Sequence, residues 1–292
     1  MQTRLLGPGA PGVSAVGFGG MPLSILGRPD DEAAALRVIH AGLDAGMTLV
    51  DTANVYCLDD SDIGHNERLV AKALRTWGGR KDAVVVATKG GITRPKGDWA
   101  LDGRPASLRR ACELSLAALG VDCIALYQYH RPDETVPLAE SVGALADLRR
   151  EGKIRWVGLS NVTVAQIRGA AAIVPIVTVQ NRLSPFFREA LETGVVAHCA
   201  REGIGFLAYS PVGGGRLNQK LPSIAALQPI AKAHGASPHA VVLAWVLAQG
   251  PHVIAIPGAR TVEHATDSAA AADLLLTPAE LAAITGAEFS TA

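Results

Sequence analysis

Eight short apolar runs rich in Val and Ile recur along the chain, at residues 13–18, 47–50, 83–88, 123–127, 154–159, 176–179, 204–208 and 253–256, each followed by helical periodicity. None of the runs alternates polar with apolar positions, which is how strands look when a parallel sheet is covered on both faces. The helical stretches carry their own stop signals. Asp31 stands at the N-cap of a helix expected over 31–45 with Gly46 behind it. Gly120, Gly152, Gly203 and Gly235 end those expected over 107–119, 138–150, 189–201 and 223–234. Further helices are expected over 66–77, 163–172, 238–247 and 277–284, and the Gly/Pro-rich stretch 7–12 suits a tight hairpin. Eight βα units in 292 residues predict an α/β fold: a closed (β/α)8 TIM barrel with an N-terminal β-hairpin and extra helices near the C-terminal end. No linker or composition shift divides residues 1–292, so a single domain is expected, with 89–106 and 209–222 as loops.

Lys plus Arg and Asp plus Glu both number 27, and no run of like charge stands out. That balance argues against nucleic acid or a membrane surface as partner and for a small-molecule substrate. The apolar runs fall well short of the roughly 18 residues of a membrane span. Cys57, Cys112, Cys123 and Cys199 show no CxxC or zinc-like spacing, and the opening Met-Gln-Thr-Arg lacks a signal-peptide core. The expectation is a cytoplasmic protein with reduced thiols and no metal; the oligomeric state is left open.

A barrel places its chemistry at the C-terminal ends of the strands. The second strand ends in Asp51 with Tyr56 five residues on, the third in Lys89 and the fourth in His130. Each alone suits a structural role: a turn cap, a loop anchor, a solvated charge, a rim histidine. Together they bring an acid, a phenol, an amine and an imidazole to one barrel mouth. Such a set suits proton transfer to or from a carbonyl or alcohol oxygen. An ammonium at Lys89 is expected to lower the phenol's pKa from about 10. Asp51 would fix that ammonium, and His130 would donate to the substrate oxygen and orient it. The chain has no GxSxG elbow, no HExxH and no ligand cluster, so the missing partner is a hydride-carrying cofactor. It has no GxGxxG fingerprint either.

The segments Asp51-Thr-Ala-Asn-Val-Tyr56, Asn66-Glu67-Arg-Leu69, Ala87-Thr-Lys89-Gly-Gly91, Ser115-Leu-Ala-Ala-Leu-Gly-Val-Asp122, Leu126-Tyr-Gln-Tyr-His130-Arg-Pro-Asp133, Gly158-Leu-Ser-Asn161, Tyr209-Ser-Pro-Val-Gly-Gly-Gly215 and Ile256-Pro-Gly258 occur in that order over essentially the whole chain. They resemble the aldo-keto reductase family. The resemblance implies a (β/α)8 barrel that binds an extended nicotinamide dinucleotide at its C-terminal face and reduces aldehydes or ketones, or oxidises the alcohols. It makes Tyr56 the general acid/base, Lys89 and Asp51 the groups that tune it, and His130 the group that orients the carbonyl. On the cofactor side it assigns Ser160, Asn161 and Gln180 to the carboxamide and Tyr209 to stacking on the nicotinamide ring. Ser210 and the main chain of Gly213, Gly214, Gly215, Arg216 and Leu217 fall to the pyrophosphate. Gly20 and Met21 also fall on the cofactor, and Ile256, Gly258, Arg260, His264, Asp267 and Ser268 on its adenosine end.

Some positions depart from the family. Gly258 stands where many members have lysine, His264 where many have arginine, and Asp267-Ser268 in place of a frequent Glu-Asn pair. Arg260 is retained, which favours NADP(H) over NAD(H). Cys57 replaces the usual glycine after the tyrosine; it is either a thiol near Lys89 with a lowered pKa, open to oxidation, or, the favoured reading, a small side chain filling a gap.

On the substrate side, Trp99 is the aromatic expected over the substrate or as a loop anchor, and Phe186-Phe187 are candidates for the rim. Few residues follow position 284, so a shallow, open site is expected. Two alternatives to a general carbonyl reductase are carried forward. One is a sugar or pyridoxal/pyridoxine dehydrogenase of the same fold. The other is a cofactor-binding regulatory subunit related to channel β subunits.

Overall fold

The structure is a computed structural model that describes residues 1–29 and 31–292. Strands β1 (Thr3–Leu5) and β2 (Gly12–Ser14) pair antiparallel as the N-terminal hairpin. From it Leu6 and Val13 enter the apolar filling of the barrel, against Leu49, Val85, Leu126, Val177, Leu207 and Ile254. Glycine is needed at position 7 because a Cβ there would lie 2.0 Å from the Val177 carbonyl oxygen.

The barrel begins with β3 (Phe18–Gly19), β4 (Leu49–Asp51) and β5 (Val85–Gly90), after which β6 (Ile92–Thr93) and β7 (Ala100–Leu101) form a small antiparallel hairpin within the following loop. It continues through β8 (Ile124–Tyr129), β9 (Ile154–Ser160), β10 (Ile176–Arg182), β11 (Gly205–Tyr209) and β12 (Val253–Ile256). Each barrel strand runs parallel to the next. The first and last are joined by Gly17 N–H to Ala255 O at 2.8 Å, Ala255 N–H to Ala15 O at 3.1 Å and Gly19 N–H to Pro257 O at 2.9 Å. The sheet therefore closes, as the eight-unit pattern predicts.

The outer layer comprises α1 (Glu32–Asp44), α2 (His65–Thr76), α3 (Pro105–Leu119), α4 (Leu138–Arg150), α5 (Val164–Ala171), α6 (Glu189–Glu192), α7 (Val195–Glu202), α8 (Gly214–Leu217), α9 (Leu227–His234), α10 (Pro238–Leu247), α11 (Val262–Ala270) and α12 (Pro278–Gly286). Asp31 caps α1 by accepting from the Ala33 N–H. Residues 240–247 of α10 are apolar on every side and all buried, as a helix enclosed by others must be. Among the described residues no helix is long and apolar enough to cross a membrane.

Several elements differ from the sequence reading: the expected loops 89–106 and 209–222 hold β6–β7 and α8, and the helix expected from 223 starts at Leu227. The run 13–18 serves two partners: its start pairs in the hairpin, while Val16 bridges to Ala255 of β12, Gly19 bridges to Gly258 just beyond it, and only Phe18–Gly19 pair with β4. The helix expected over 189–201 breaks at Gly194, whose φ of 76° is left-handed and starts a new helix. Helix α11 was not anticipated, because its Ala, Thr and Ser content carries little apolar periodicity. Tertiary packing supplies its support: Ala265 and Ala269 are buried.

Candidate active site

Parallel register sets the strand ends side by side: Asp51 opposite Ala87, and Lys89 opposite Gln128. Lys89 is fully buried, and its Nζ donates to Asp51 Oδ2 at 2.6 Å, Thr52 O at 2.9 Å and Tyr56 Oη at 3.1 Å. An ammonium has three N–H donors, so all are matched. Asp51 Oδ1 in turn accepts from Gln180 Nε2 at 2.8 Å and from Gln128 Nε2 at 3.3 Å, across the barrel. Asn66, at the start of α2, ties the neighbouring strand ends: it accepts from Thr52 Oγ1 at 2.6 Å and donates to Gly20 O at 2.8 Å.

Burial opposes charge on all of these groups, and the balance differs for each. Burial alone would lower the Lys89 pKa, but the Asp51 carboxylate and Tyr56 together carry it above its ordinary value, so the ammonium persists. Burial pushes the Tyr56 phenol up, and Lys89 pulls only part of that back. Lys89 thus acts in the expected direction, but the net shift is upward because burial outweighs it. Tyr56 is 6% exposed among Ala53, Val55, Ile63 and Ile92, and the cost of desolvating a phenolate there exceeds the attraction of the ammonium. His130 follows β8 with its ring edge-on to Tyr56, the centroids 5.9 Å apart. Burial, then the charges of Lys89 and Arg131, hold it well below the usual histidine value, so the ring is neutral. Its Nδ1 is buried and has no partner among the described residues.

The loop after Tyr56 is braced from β6–β7. Arg94 Nη2 donates to Leu58 O at 2.7 Å and Cys57 O at 3.2 Å, and Trp99 lies over that guanidinium at 4.1 Å from its ring centroid. Trp99 is 50% exposed, so the structure makes it the cover of Arg94. Cys57 is buried and its thiol is pushed up to about 11 by burial, which leaves it uncharged packing. Two residues of this half, Gln128 and Arg94, were not singled out from sequence. The one signal for Gln128 was an amide inside an otherwise apolar strand.

On the neighbouring strand ends, Tyr209 Oη donates to Asn161 Oδ1 at 2.7 Å. Asn161 Nδ2 donates to His130 O and Ser160 Oγ, both at 3.0 Å. Asn161 (φ 58°) and Ser210 (φ 48°) hold left-handed backbone without being glycine, a strain that clusters at functional sites. Gly213 (φ 91°) and Gly214 (φ 81°) open α8, and a Cβ on Gly213 would lie 2.8 Å from both Leu217 Cβ and the Phe186 ring. Leu217 is buried, Gly215 stands in open space, and Arg216 donates to Thr291 O.

Farther along this rim several candidates are engaged by the chain itself. Arg260 donates to Leu26 O at 3.1 Å and Pro22 O at 3.4 Å. Asp267 accepts from Ser237 Oγ at 2.6 Å. A Cβ at Gly258 would lie 2.5 Å from Pro22 Cγ, so Pro22 excludes the longer residue common in relatives. Ile256 and Ser268 are buried, Met21 is 37% exposed, and His264 is exposed in the first turn of α11.

A cavity of about 730 Å³ opens beside Asn161 and Tyr209, lined also by Arg131, Phe186, Phe187 and Phe289. Phe289 packs edge-on against Phe186 with centroids 5.1 Å apart. Of the residues after α12, Ala287 and Phe289 line this cavity. Among the described residues no cluster of His, Cys, Asp or Glu could hold a metal ion. The residues present fit a nicotinamide dinucleotide: an aromatic ring at Tyr209, a glycine main chain at 213–214 where a Cβ on Gly213 would clash, and the amides of Asn161 and Gln180, which would exchange contacts with His130 O, Ser160, Tyr209 or Asp51 for the carboxamide.

Comparison with known proteins agrees with this geometry. The pattern of the Aldo/keto reductase family matches residues 15–288. The chain is 35% identical to aldo-keto reductase str7 of Strobilurus tenacellus over 97% of its own length and 91% of that protein's. It superposes on glycerol dehydrogenase AKR11B4 of Gluconobacter oxydans with a TM-score of 0.83 at 30% identity, covering 97% and 93% of the two chains. An aldo-keto reductase of Klebsiella pneumoniae solved with NADPH gives 0.81 at 29% identity, covering 97% and 94%.

Proposed function

Because the chain belongs to the aldo/keto reductase family and is an oxidoreductase, we propose that it reduces an aldehyde or ketone to the alcohol, or runs the reverse, with Tyr56 as general acid/base. The observation that carries this reading is the buried Asp51–Lys89–Tyr56 array with neutral His130 edge-on to the phenol. A reduced nicotinamide, when bound, supplies the hydride to the carbonyl carbon. The substrate oxygen accepts hydrogen bonds from Tyr56 Oη–H and from the His130 ring, which orient it and polarise the C=O bond. As negative charge builds on that oxygen, Tyr56 gives up its proton to it. The nearby Lys89 ammonium stabilises the phenolate left behind. Asp51 and the Thr52 carbonyl hold the ammonium in place, and Gln128 and Gln180 hold Asp51. In the oxidative direction the phenolate takes the alcohol proton back.

Ser160, Asn161 and Gln180 would hold the carboxamide and Tyr209 the ring, with Gly20 and Met21 alongside. Ser210 and the main chain of 213–217 would hold the pyrophosphate. Arg260 and His264, exposed beside the start of α11, are the cations available to a 2′-phosphate, which supports NADP(H) over NAD(H). Similarity to a Klebsiella pneumoniae enzyme solved with NADPH supports the same choice. The test is NADPH consumption with a panel of neutral aldehydes, paired with fluorescence titration of NADPH against NADH. Turnover of at least one aldehyde and tighter NADPH binding are expected. Tight cofactor binding with no turnover of any aldehyde would instead favour a regulatory cofactor-binding subunit.

A further inference from the structure

The 730 Å³ cavity combines an aromatic floor with unpaired positive charge. Of its three lining arginines, Arg188 is committed to main-chain carbonyls, those of Pro185, Ile284 and Thr285. Arg182 instead lies over the Phe187 ring at 3.7 Å, and Arg131 makes only a 3.4 Å contact with Asn161 Oδ1. Among the described residues neither Arg131 nor Arg182 forms an ion pair. Two acids, Glu189 and Glu192, also line the cavity, and both are exposed and close on neither arginine. The cavity wall begins next to the reacting end of the site. Arg131 directly follows His130, and Asn161, on the same wall, donates to the His130 carbonyl at 3.0 Å.

Two guanidinium groups without acid partners, one of them over the Phe187 ring, in a cavity that also holds the Phe186 and Phe289 rings can recognise an anion carried on an apolar spacer. The planar fork of arginine matches a carboxylate or a phosphate through paired N–H donors, and the rings take the hydrocarbon between. We infer that the substrate is a carbonyl compound with a carboxylate or phosphate at its far end, the anion held by Arg131 and Arg182 and the spacer lying on Phe186 and Phe289. The assignment of the near end rests on the oxidoreductase reading above; the anion site rests on the cavity itself.

Binding without turnover tests the anion site. Hexanoate, hexyl phosphate and the neutral hexanamide would be titrated calorimetrically into the protein. At least one anion should bind about 10-fold or more tightly than hexanamide, and which one does so identifies the group recognised. That preference should fall about 10-fold in Arg182→Ala and in Arg131→Ala, survive in part in Arg182→Lys, and shrink with added salt. Equal binding of all three ligands, or an anion preference unaltered in both alanine variants, would overturn the inference. Turnover then separates the two readings. In the wild type, kcat/KM for 6-oxohexanoate should exceed that for hexanal about 10-fold, and the ratio should fall toward one in Arg182→Ala. If neither aldehyde reacts while the anion preference persists, the proposed carbonyl reduction fails and the anion site stands.

Discussion

Lys89 and Asp51 have their hydrogen bonds matched within the chain, whereas around Gly213 and Arg260 the chain leaves or diverts its own. The first region draws on β4, β5, β8 and β10: three acceptors meet three ammonium donors, and two glutamine amides meet the carboxylate behind them. The second holds two left-handed glycines, an arginine donating to carbonyls of the chain's own 22–26 segment, and an aspartate committed to Ser237. The half proposed to handle the proton is therefore organised by the fold alone. At the half proposed for the dinucleotide, an incoming anion must compete with contacts the protein already makes. A scaffold of buried strand ends can fix the first, while the second depends on loops.

The largest effect that would sharpen this contrast is expected from Lys89→Met. Removing the ammonium leaves Asp51 buried and unpaired and strips the phenol of its charge partner. Stability should drop by about 3–5 kcal/mol in urea unfolding, and turnover by roughly 10²–10⁴-fold. A loss of less than about 1 kcal/mol with turnover retained would erase the distinction between the two halves. A smaller effect is expected at the rim. Gly213→Ala puts a Cβ on a left-handed residue 2.8 Å from Leu217 Cβ, and the strain of about 1–2 kcal/mol should weaken NADPH roughly 10-fold in a fluorescence titration. Unaltered affinity would mean that this loop does not cradle the cofactor.

The same contrast governs what could be read from sequence. The barrel was legible because eight buried strands leave apolar runs that no polar alternation interrupts. Asp51, Lys89 and His130 were legible because that fold delivers strand ends to one mouth. The direction of the Tyr56 shift was not, since it depends on how tightly Ala53, Val55, Ile63 and Ile92 enclose the ring. Nor was the role of Gln128, because sequence does not say which buried amide faces Asp51. Arg260 and Gly258 could be placed by resemblance, but their engagement with the segment carrying Pro22 and Leu26 arises only when distant parts of the chain meet. The break at Gly194 was hidden because one glycine inside a helical pattern can be either tolerated or decisive.

The central claim is that Tyr56 delivers the proton from a phenol that burial keeps neutral. It is tested most directly by the single-turnover rate of NADPH oxidation by a neutral aldehyde, in the wild type and in Tyr56→Phe, as a function of pH. Tyr56 is shifted above its ordinary value and His130 well below its own, so the phenol is protonated and the imidazole neutral between about pH 6.5 and 9. The wild-type rate should therefore be flat across that range and fall only above about pH 10. Tyr56→Phe should lose roughly 10²–10⁴-fold with NADPH affinity retained. A Tyr56→Phe rate close to that of the wild type, with the same pH dependence, would contradict the account.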